Sequence, residues 1–306
     1  MATPHGPRFH VKRPGRLLTV AGRQLHVLVE GNDGSGAPAV VLVGGLAGNW
    51  FDWDALTADL EADRAVVRFD RPGFGFSPAD GEAPTAPGEA DRIAAVLDAA
   101  GVEGPVVVVG HSLGGFYAEA FARRHPRRVA GLILLDASVS GGHRGKIPRR
   151  WRTTGARRTA RVVTRSGLQR LLGPTVAWVF NRAGLEEHTR DWVRAIYQDP
   201  RYLEAALVED AVFPDLAADV AALRRSDPLP RVPVAVVAAH TGRPTPWGRV
   251  WLRWQRALAA TLGARLVVLR PAHHHAMIDQ PDRLARLIRE LTEPVAGDRP
   301  TDSSGP

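Results

Sequence analysis

Cysteine is absent from this 306-residue chain, which excludes disulfides, thiolate nucleophiles and cysteine-ligated zinc or iron–sulfur sites and fits a reducing compartment. Long apolar runs are missing as well. Nowhere do roughly 18 consecutive apolar residues occur, so no spanning helix is expected. Met1 to Val20 mixes Pro, Gly, His, Lys and Arg without the apolar core of a signal peptide, so the expected location is the cytoplasm. Acidic residues vanish locally: between Ala137 and Leu185 there is no Asp or Glu, while ten Arg or Lys side chains crowd between Arg144 and Arg170. With a net charge of +8, this stretch reads either as a solvated helical face or as a patch for peripheral contact with an anionic membrane. No nucleic-acid partner is expected.

Ordinary proportions of apolar (44%) and charged (24%) residues describe a globular protein, and the length suits one α/β domain with an insertion. Apolar runs alternate with stretches at helical spacing. Arg16 to Val20 and Gln24 to Glu30 suggest an opening hairpin around Ala21-Gly22. Ala39–Val43, Ala65–Phe69, Pro105–Val109, Val129–Leu135, Val234–Ala238 and Leu266–Leu269 are Val- and Leu-rich without alternation, as expected of strands covered on both faces. Three helical faces recur between them: Trp50, Trp53, Leu56 and Leu60; Ile93, Val96 and Leu97; Leu284, Leu287, Ile288 and Leu291. About ninety residues of helical sequence follow Ser138, far more than a connection needs. The expected organisation is a flexible N-terminus (1–15), an α/β core (16–138 and 231–292), a helical lid insertion (139–230) and a disordered tail (293–306). Leu168, Leu171, Leu172, Val176 and Val179 mark the insertion's helices, as do Trp192, Val193 and Ile196.

Chemistry concentrates where the strand at Val106 runs into Gly110-His111-Ser112-Leu113-Gly114-Gly115 and a helix-compatible run follows. This is the pattern of a nucleophile elbow. Glycines two before and two after the serine are a steric demand, because a Cβ there would strike the neighbouring strand or helix. Ser112 is thereby lifted above the sheet edge at a helix N-terminus, where backbone N–H groups face a developing oxyanion.

From about Leu17 to Leu291 the chain resembles the α/β-hydrolase superfamily, specifically its lid-bearing serine hydrolases. That resemblance implies a mostly parallel eight-stranded sheet with helices on both faces and an inserted helical lid. In Val43-Gly44-Gly45-Leu46-Ala47-Gly48 the usual His is replaced by Gly44. The family's oxyanion donors then fall, by position, on the N–H groups of Leu46 and Leu113, with Gly45, Gly110, His111 and Gly114 in support. Asp70-Arg71-Pro72-Gly73-Phe74-Gly75-Phe76-Ser77 is similar to a family loop and is taken as structural. In Pro271-Ala272-His273-His274-His275-Ala276, counting back five residues from Asp279 makes His274 the base, with its neighbours as supports. A metal site on the three histidines is the rival, lacking a visible carboxylate cluster. The segment after the seventh strand carries no carboxylate, so the acid is assigned to Asp136 at the end of the sixth strand, where some lid-bearing members carry it. A strand-end Asp that merely caps the next loop is the other reading.

The expected activity is cleavage of a small-molecule carboxylic ester or related acyl compound without cofactor or metal. Thioester, amide, lactone or carbon–carbon hydrolysis and perhydrolysis stay open. The serine argues against the dehalogenases and epoxide hydrolases of this fold, which use Asp. Trp50, Trp53, Trp178, Phe180, Trp192 and Phe213 would line an apolar pocket or belong to the core. A catalytically idle protein binding a ligand or membrane is the alternative from another class. Oligomeric state is not legible.

Overall fold

The computed structural model describes residues 14–31, 34, 36–139, 145–169 and 187–292. β1 (Arg16–Val20), β2 (Arg23–Glu30), β3 (Val40–Val43), β4 (Val66–Phe69), β5 (Val106–His111), β6 (Val129–Leu135), β7 (Val234–Ala239) and β8 (Arg265–Leu269) form one eight-stranded sheet in the order β1-β2-β4-β3-β5-β6-β7-β8. The β1–β2 and β2–β4 pairs are antiparallel; every later pair is parallel. β5 runs two residues beyond its expected end because Gly110 and His111 pair with Leu134 and Leu135 of β6.

Strand residues alternate between two apolar layers, which is why the inner strands read as unbroken apolar runs. Val41, Val43, Val106, Val108, Leu132 and Leu134 face one layer together with α2 (Ala86–Ala99) and α3 (Gly114–Arg124). Val40, Leu42, Val107, Val109, Ile133 and Leu135 face the other, against α1 (Asp54–Leu60). At about 25 cal/mol per Å² of apolar surface removed from water, these layers dominate the stability. Local signals start the helices: Thr85 accepts a hydrogen bond from Gly88 N–H at 3.0 Å ahead of α2, with Pro87 in the first turn.

The helix expected from Trp50 to Leu60 is divided. Residues Trp50–Trp53 form a tight 3₁₀ turn before α1, and Trp50 parts from the other three. Trp53, Leu56 and Leu60 pack under the sheet, whereas Trp50 joins Phe51, Phe74 and Trp192 in a separate cluster. The tighter turn breaks the 3.6-residue period on which the shared face rested.

Between β6 and β7 the described helices are α4 (Arg149–Arg165), α5 (Glu187–Gln198), α6 (Pro200–Ala211) and α7 (Phe213–Ser226). α7 packs Leu216, Val220 and Leu223 into the same layer as α2 and α3. α5 and α6 place Trp192, Val193, Ile196, Tyr197 and Tyr202 against Trp50, Phe51 and Phe74. Leu168 is exposed. Leu171, Leu172, Val176, Trp178, Val179 and Phe180 lie outside the described residues, as do residues 1–13 and 293–306. Parts of the basic stretch turn inward. Arg149 donates to the carbonyls of Ala83 and Pro84 at 2.6 and 3.0 Å, Arg152 pairs with Asp215, and Arg157 pairs with Glu204 at 3.4 Å. The chain closes with α8 (Pro246–Leu262), β8, α9 (Ala276–Asp279) and α10 (Pro281–Thr292). Leu284, Leu287 and Ile288 of α10 are buried beneath the sheet, with Leu291 packed against them. Among the described residues no helix is long and apolar enough to cross a membrane.

Candidate active site

At the carboxyl end of β5 the chain turns directly into α3, and Ser112 occupies the turn with φ +52°. A non-glycine residue in the left-handed region costs on the order of 1 kcal/mol or more and persists only where its surroundings enforce it. They do here: Ser112 N–H donates to Leu135 O at 3.0 Å, and Ser112 O accepts from Gly115 and Ser138 N–H at 3.0 and 2.9 Å. The flanking glycines are needed for the closeness of this turn. A Cβ on Gly110 would lie 2.5 Å from Gly114 O, and one on Gly114 would collide with Gly44 O.

Ser112 Oγ lies 2.9 Å from His274 Nε2, and His274 Nδ1 lies 2.7 Å from Asp136 Oδ2. Of the three adjacent histidines, His274 reaches both partners. His273 is exposed and turns to Asp279, its Nδ1 lying 3.1 Å from the carboxylate. Burial and the neighbouring His274 push His275 down to about 4, so it is neutral at pH 7. Among the described residues no group of three or more His, Cys, Asp or Glu side chains could hold a metal ion.

Asp136 ends β6 with φ +44°. Its N–H donates to Val237 O at 2.6 Å, while its Oδ1 accepts from Ala239 N–H at 2.9 Å and from Trp251 Nε1–H at 2.6 Å. Ala239, Trp251 and His274 thus converge on one buried carboxylate. The carboxylate then requires a proton on His274 Nδ1, which leaves Nε2 with a lone pair toward the Ser112 hydroxyl. The capping alternative is in part realised, since Asp136 does hold the end of β7, and the same carboxylate also meets His274 Nδ1. β7, which lacks an acid of its own, contributes an N–H to Asp136 instead.

His111 is buried beside Ser112 and donates Nε2–H to His274 O at 2.8 Å. Burial, and then the adjacent His274 and His275, hold it well below the usual histidine range, so it is a neutral support. A Cβ on Gly45 would come within 2.9 Å of Ser112 Cβ, so the loop 44–48 passes tightly over the serine. Leu113 is buried, and among the described residues no acceptor takes the N–H of Leu46 or Leu113.

Of the aromatics weighed as pocket lining, Trp50, Trp53 and Trp192 are buried and Phe213 is half-buried, while Trp178 and Phe180 lie outside the described residues. Trp50 and Trp192 meet edge to face at 5.9 Å, Trp53 packs on His111 at 6.3 Å, and Phe213 on Phe116 at 5.4 Å. A cavity of about 190 Å³ reaches Arg71, Glu89 and Glu209, and its walls do not include Ser112, Asp136 or His274.

Sequence reasoning missed Trp251, Arg71, Tyr117 and Glu209. The first had no signal beyond a tryptophan on an amphipathic helix. Arg71 lay in a loop taken as structural, and Asp70 in that loop does have such a role: its carboxylate accepts from Trp50 and Phe76 N–H, each at 3.0 Å, and lies 2.7 Å from His26 Nδ1. Arg71 is buried against Glu209 at 3.0 Å, and nothing in the local pattern of α6 marks that glutamate.

Comparison with known proteins agrees with this architecture. Over 128 residues the chain is 34% identical to the 2-hydroxymuconate semialdehyde hydrolase of Pseudomonas sp. (strain CF600), covering 40% of this chain and 44% of that one. The chain spans less than half the length of the first curated relatives it matches, 15%, 44% and 37% of them. Among solved structures, the enol-lactonase of Burkholderia xenovorans LB400 superposes with a TM-score of 0.65 at 22% identity, covering 90% of this chain and 99% of that one. A thermophilic esterase from Thermogutta terrifontis gives 0.64 at 24% identity, covering 90% and 96%. These two share the fold. The family model for the alpha/beta hydrolase fold matches residues 38–281, and the chain belongs to that family.

Proposed function

We propose that this protein is a serine hydrolase that cleaves a carboxylic ester or related acyl compound through an acyl-enzyme. The observation that carries the proposal is the unbroken line from Ser112 Oγ through His274 to Asp136, at 2.9 and 2.7 Å. A serine hydroxyl is a poor nucleophile unless a positioned base takes its proton. In the proposed cycle His274 Nε2 accepts that proton as Oγ bonds to the acyl carbon, and the N–H groups of Leu46 and Leu113 stabilise the oxyanion. The imidazolium then protonates the leaving group as its bond to carbon breaks. Water, deprotonated by His274, releases the acid and restores Ser112. Asp136 accepts Nδ1–H throughout, fixing the tautomer and stabilising the imidazolium.

Helices α4 to α6 serve as the lid that shapes the acyl pocket, which is supported by the contact of α6 with the 44–49 loop. Tyr202 Oη donates to Ala47 O at 2.8 Å. Small to medium esters are the favoured class. The relatives whose names specify an enol-lactonase, an esterase and a semialdehyde hydrolase make lactones and carbon–carbon bonds next to a carbonyl the further substrates to screen. The idle alternative is motivated by the missing acid after β7; the 2.7 Å contact of Asp136 with His274 favours the hydrolase reading over it.

A fluorophosphonate probe tests the proposal. Stoichiometric labelling that disappears in Ser112→Ala, together with hydrolysis of p-nitrophenyl esters, is expected. Folded wild-type protein that takes up no label would refute it.

A further inference from the structure

We infer that Arg71 and Glu209 are positioning residues that aim the Leu46 N–H at the oxyanion, so that the helical insertion completes the oxyanion hole of the core; this rests on the serine-hydrolase reading above. Arg71 lies in the loop after β4 and Glu209 on α6, and both are buried. The guanidinium is bidentate to the carboxylate, with Nε to Oε1 and Nη2 to Oε2 each at 3.0 Å. Tyr117 Oη donates to Glu209 Oε1 at 2.9 Å. Burial, then the adjacent Glu209 carboxylate, push the Tyr117 hydroxyl well above its usual range, so it remains a donor.

The remaining donors of Arg71 point into the loop over Ser112. Nη1–H donates to Gly44 O at 2.8 Å, and Nη2–H to Gly45 O at 2.7 Å. Gly45 O and Leu46 N–H belong to one peptide unit, which is planar and trans, so its carbonyl and N–H point in opposite directions. Holding that carbonyl on the guanidinium therefore sets the direction of the Leu46 N–H. A charged donor on the carbonyl also polarises the peptide and strengthens its N–H as a donor. Glu209 acts a second time, accepting from Ala47 N–H at 3.3 Å, while Tyr202, seven residues earlier on the same helix, takes Ala47 O at 2.8 Å. Ala47 itself sits at φ +57°, a conformation that needs such enforcement. The loop is thus held partly by core groups, Arg71 and the Gly48 N–H that donates to Gly45 O at 2.9 Å, and partly by Glu209 and Tyr202 of α6.

The test compares wild type, Arg71→Met, Arg71→Lys and Glu209→Gln. Fluorophosphonate titration to completion counts competent sites, so misfolded molecules drop out of the comparison. Per titrated site, Arg71→Met is expected to lower kcat on p-nitrophenyl acetate about 10- to 100-fold, less than outright removal of an oxyanion donor. KM should stay within about 3-fold, because the interaction is made in the transition state. Affinity for an aryl trifluoromethyl ketone, whose Ser112 adduct carries an oxyanion, should fall by the same factor as kcat. Arg71→Lys should recover part of the loss and Glu209→Gln should lose less than Arg71→Met. Unchanged kcat per site, a rise in KM alone, or undiminished ketone affinity in Arg71→Met would overturn the inference. An unlabelled wild type would instead overturn the hydrolase reading itself.

Discussion

Asp136 and Glu209 are both buried carboxylates close to Ser112, yet they are held in opposite ways. Asp136 accepts from Ala239 N–H, Trp251 Nε1–H and His274 Nδ1–H, three neutral donors carried by β7, α8 and the loop after β8. Glu209 accepts from Arg71, Tyr117 and Ala47, and its largest partner is a buried full charge. The first arrangement is made wholly by the core and, under the proposed mechanism, sets the acid against an imidazole that gains and loses a proton. The second ties an inserted helix to the core and has no proton to move. Neutral donors suit a carboxylate whose partner changes charge during turnover. A permanent ion pair suits a brace.

Substitutions sharpen that contrast in descending order of effect. His274→Ala should lower kcat by about 10⁵- to 10⁶-fold with an unchanged circular dichroism spectrum, since Ser112 then has no base; retention of more than a few per cent of activity would place the base elsewhere. Asp136→Asn should reduce turnover by about 10⁴-fold through the wrong His274 tautomer, with a much smaller change in melting temperature. Glu209→Ala should show the reverse balance. It strands Arg71 without its carboxylate, a loss of about 3–5 kcal/mol of stability in denaturant titration, and exceeds Asp136→Asn in that assay. If the two variants lose stability equally, the distinction between tuned acid and brace fails.

A third carboxylate separates burial from pairing. Asp52 is buried with Asn49 N–H as a donor at 2.8 Å, and burial raises it from its ordinary 3.8 to about 7. The folded chain therefore keeps a proton that the unfolded chain releases. Stability should fall as pH rises from about 4 to about 7 and level off above, by up to about 4 kcal/mol. Asp52→Asn should flatten that slope and raise stability at pH 8; an unchanged pH profile would show that Asp52 is ionised in the fold. The smallest effect expected is that of Trp251→Phe, which removes one of three donors on Asp136 and should cost about 10-fold in kcat.

How far each part could be read in advance follows from the reach of the interaction that makes it. Ser112 and its glycines were legible because the elbow is a local steric problem solved within six consecutive residues. The inner strands were legible because burial on both faces leaves an unbroken apolar run. Trp50 was misplaced because a 3₁₀ turn changes the period on which a helical face depends. Asp136 was located through a resemblance and the absence of a rival after β7, while its contact with His274 spans 138 residues of chain. Glu209 was invisible: it lies 138 residues from Arg71, and a glutamate on an amphipathic helix has the same local pattern whether it faces water or a buried arginine.

The amino-acid order alone determined the α/β architecture, the sharp glycine-flanked turn at Ser112 and the exclusion of thiol chemistry, because side-chain period, glycine sterics and composition act over a few residues. Family spacing points to His274 and Asp136, but only the packed chain decided that they meet, that the same aspartate also holds the end of β7, and that α6 grips the loop above the serine. Those outcomes depend on which surfaces meet across the sheet's carboxyl edge, and hydrogen bonds between groups more than a hundred residues apart leave no mark on local sequence.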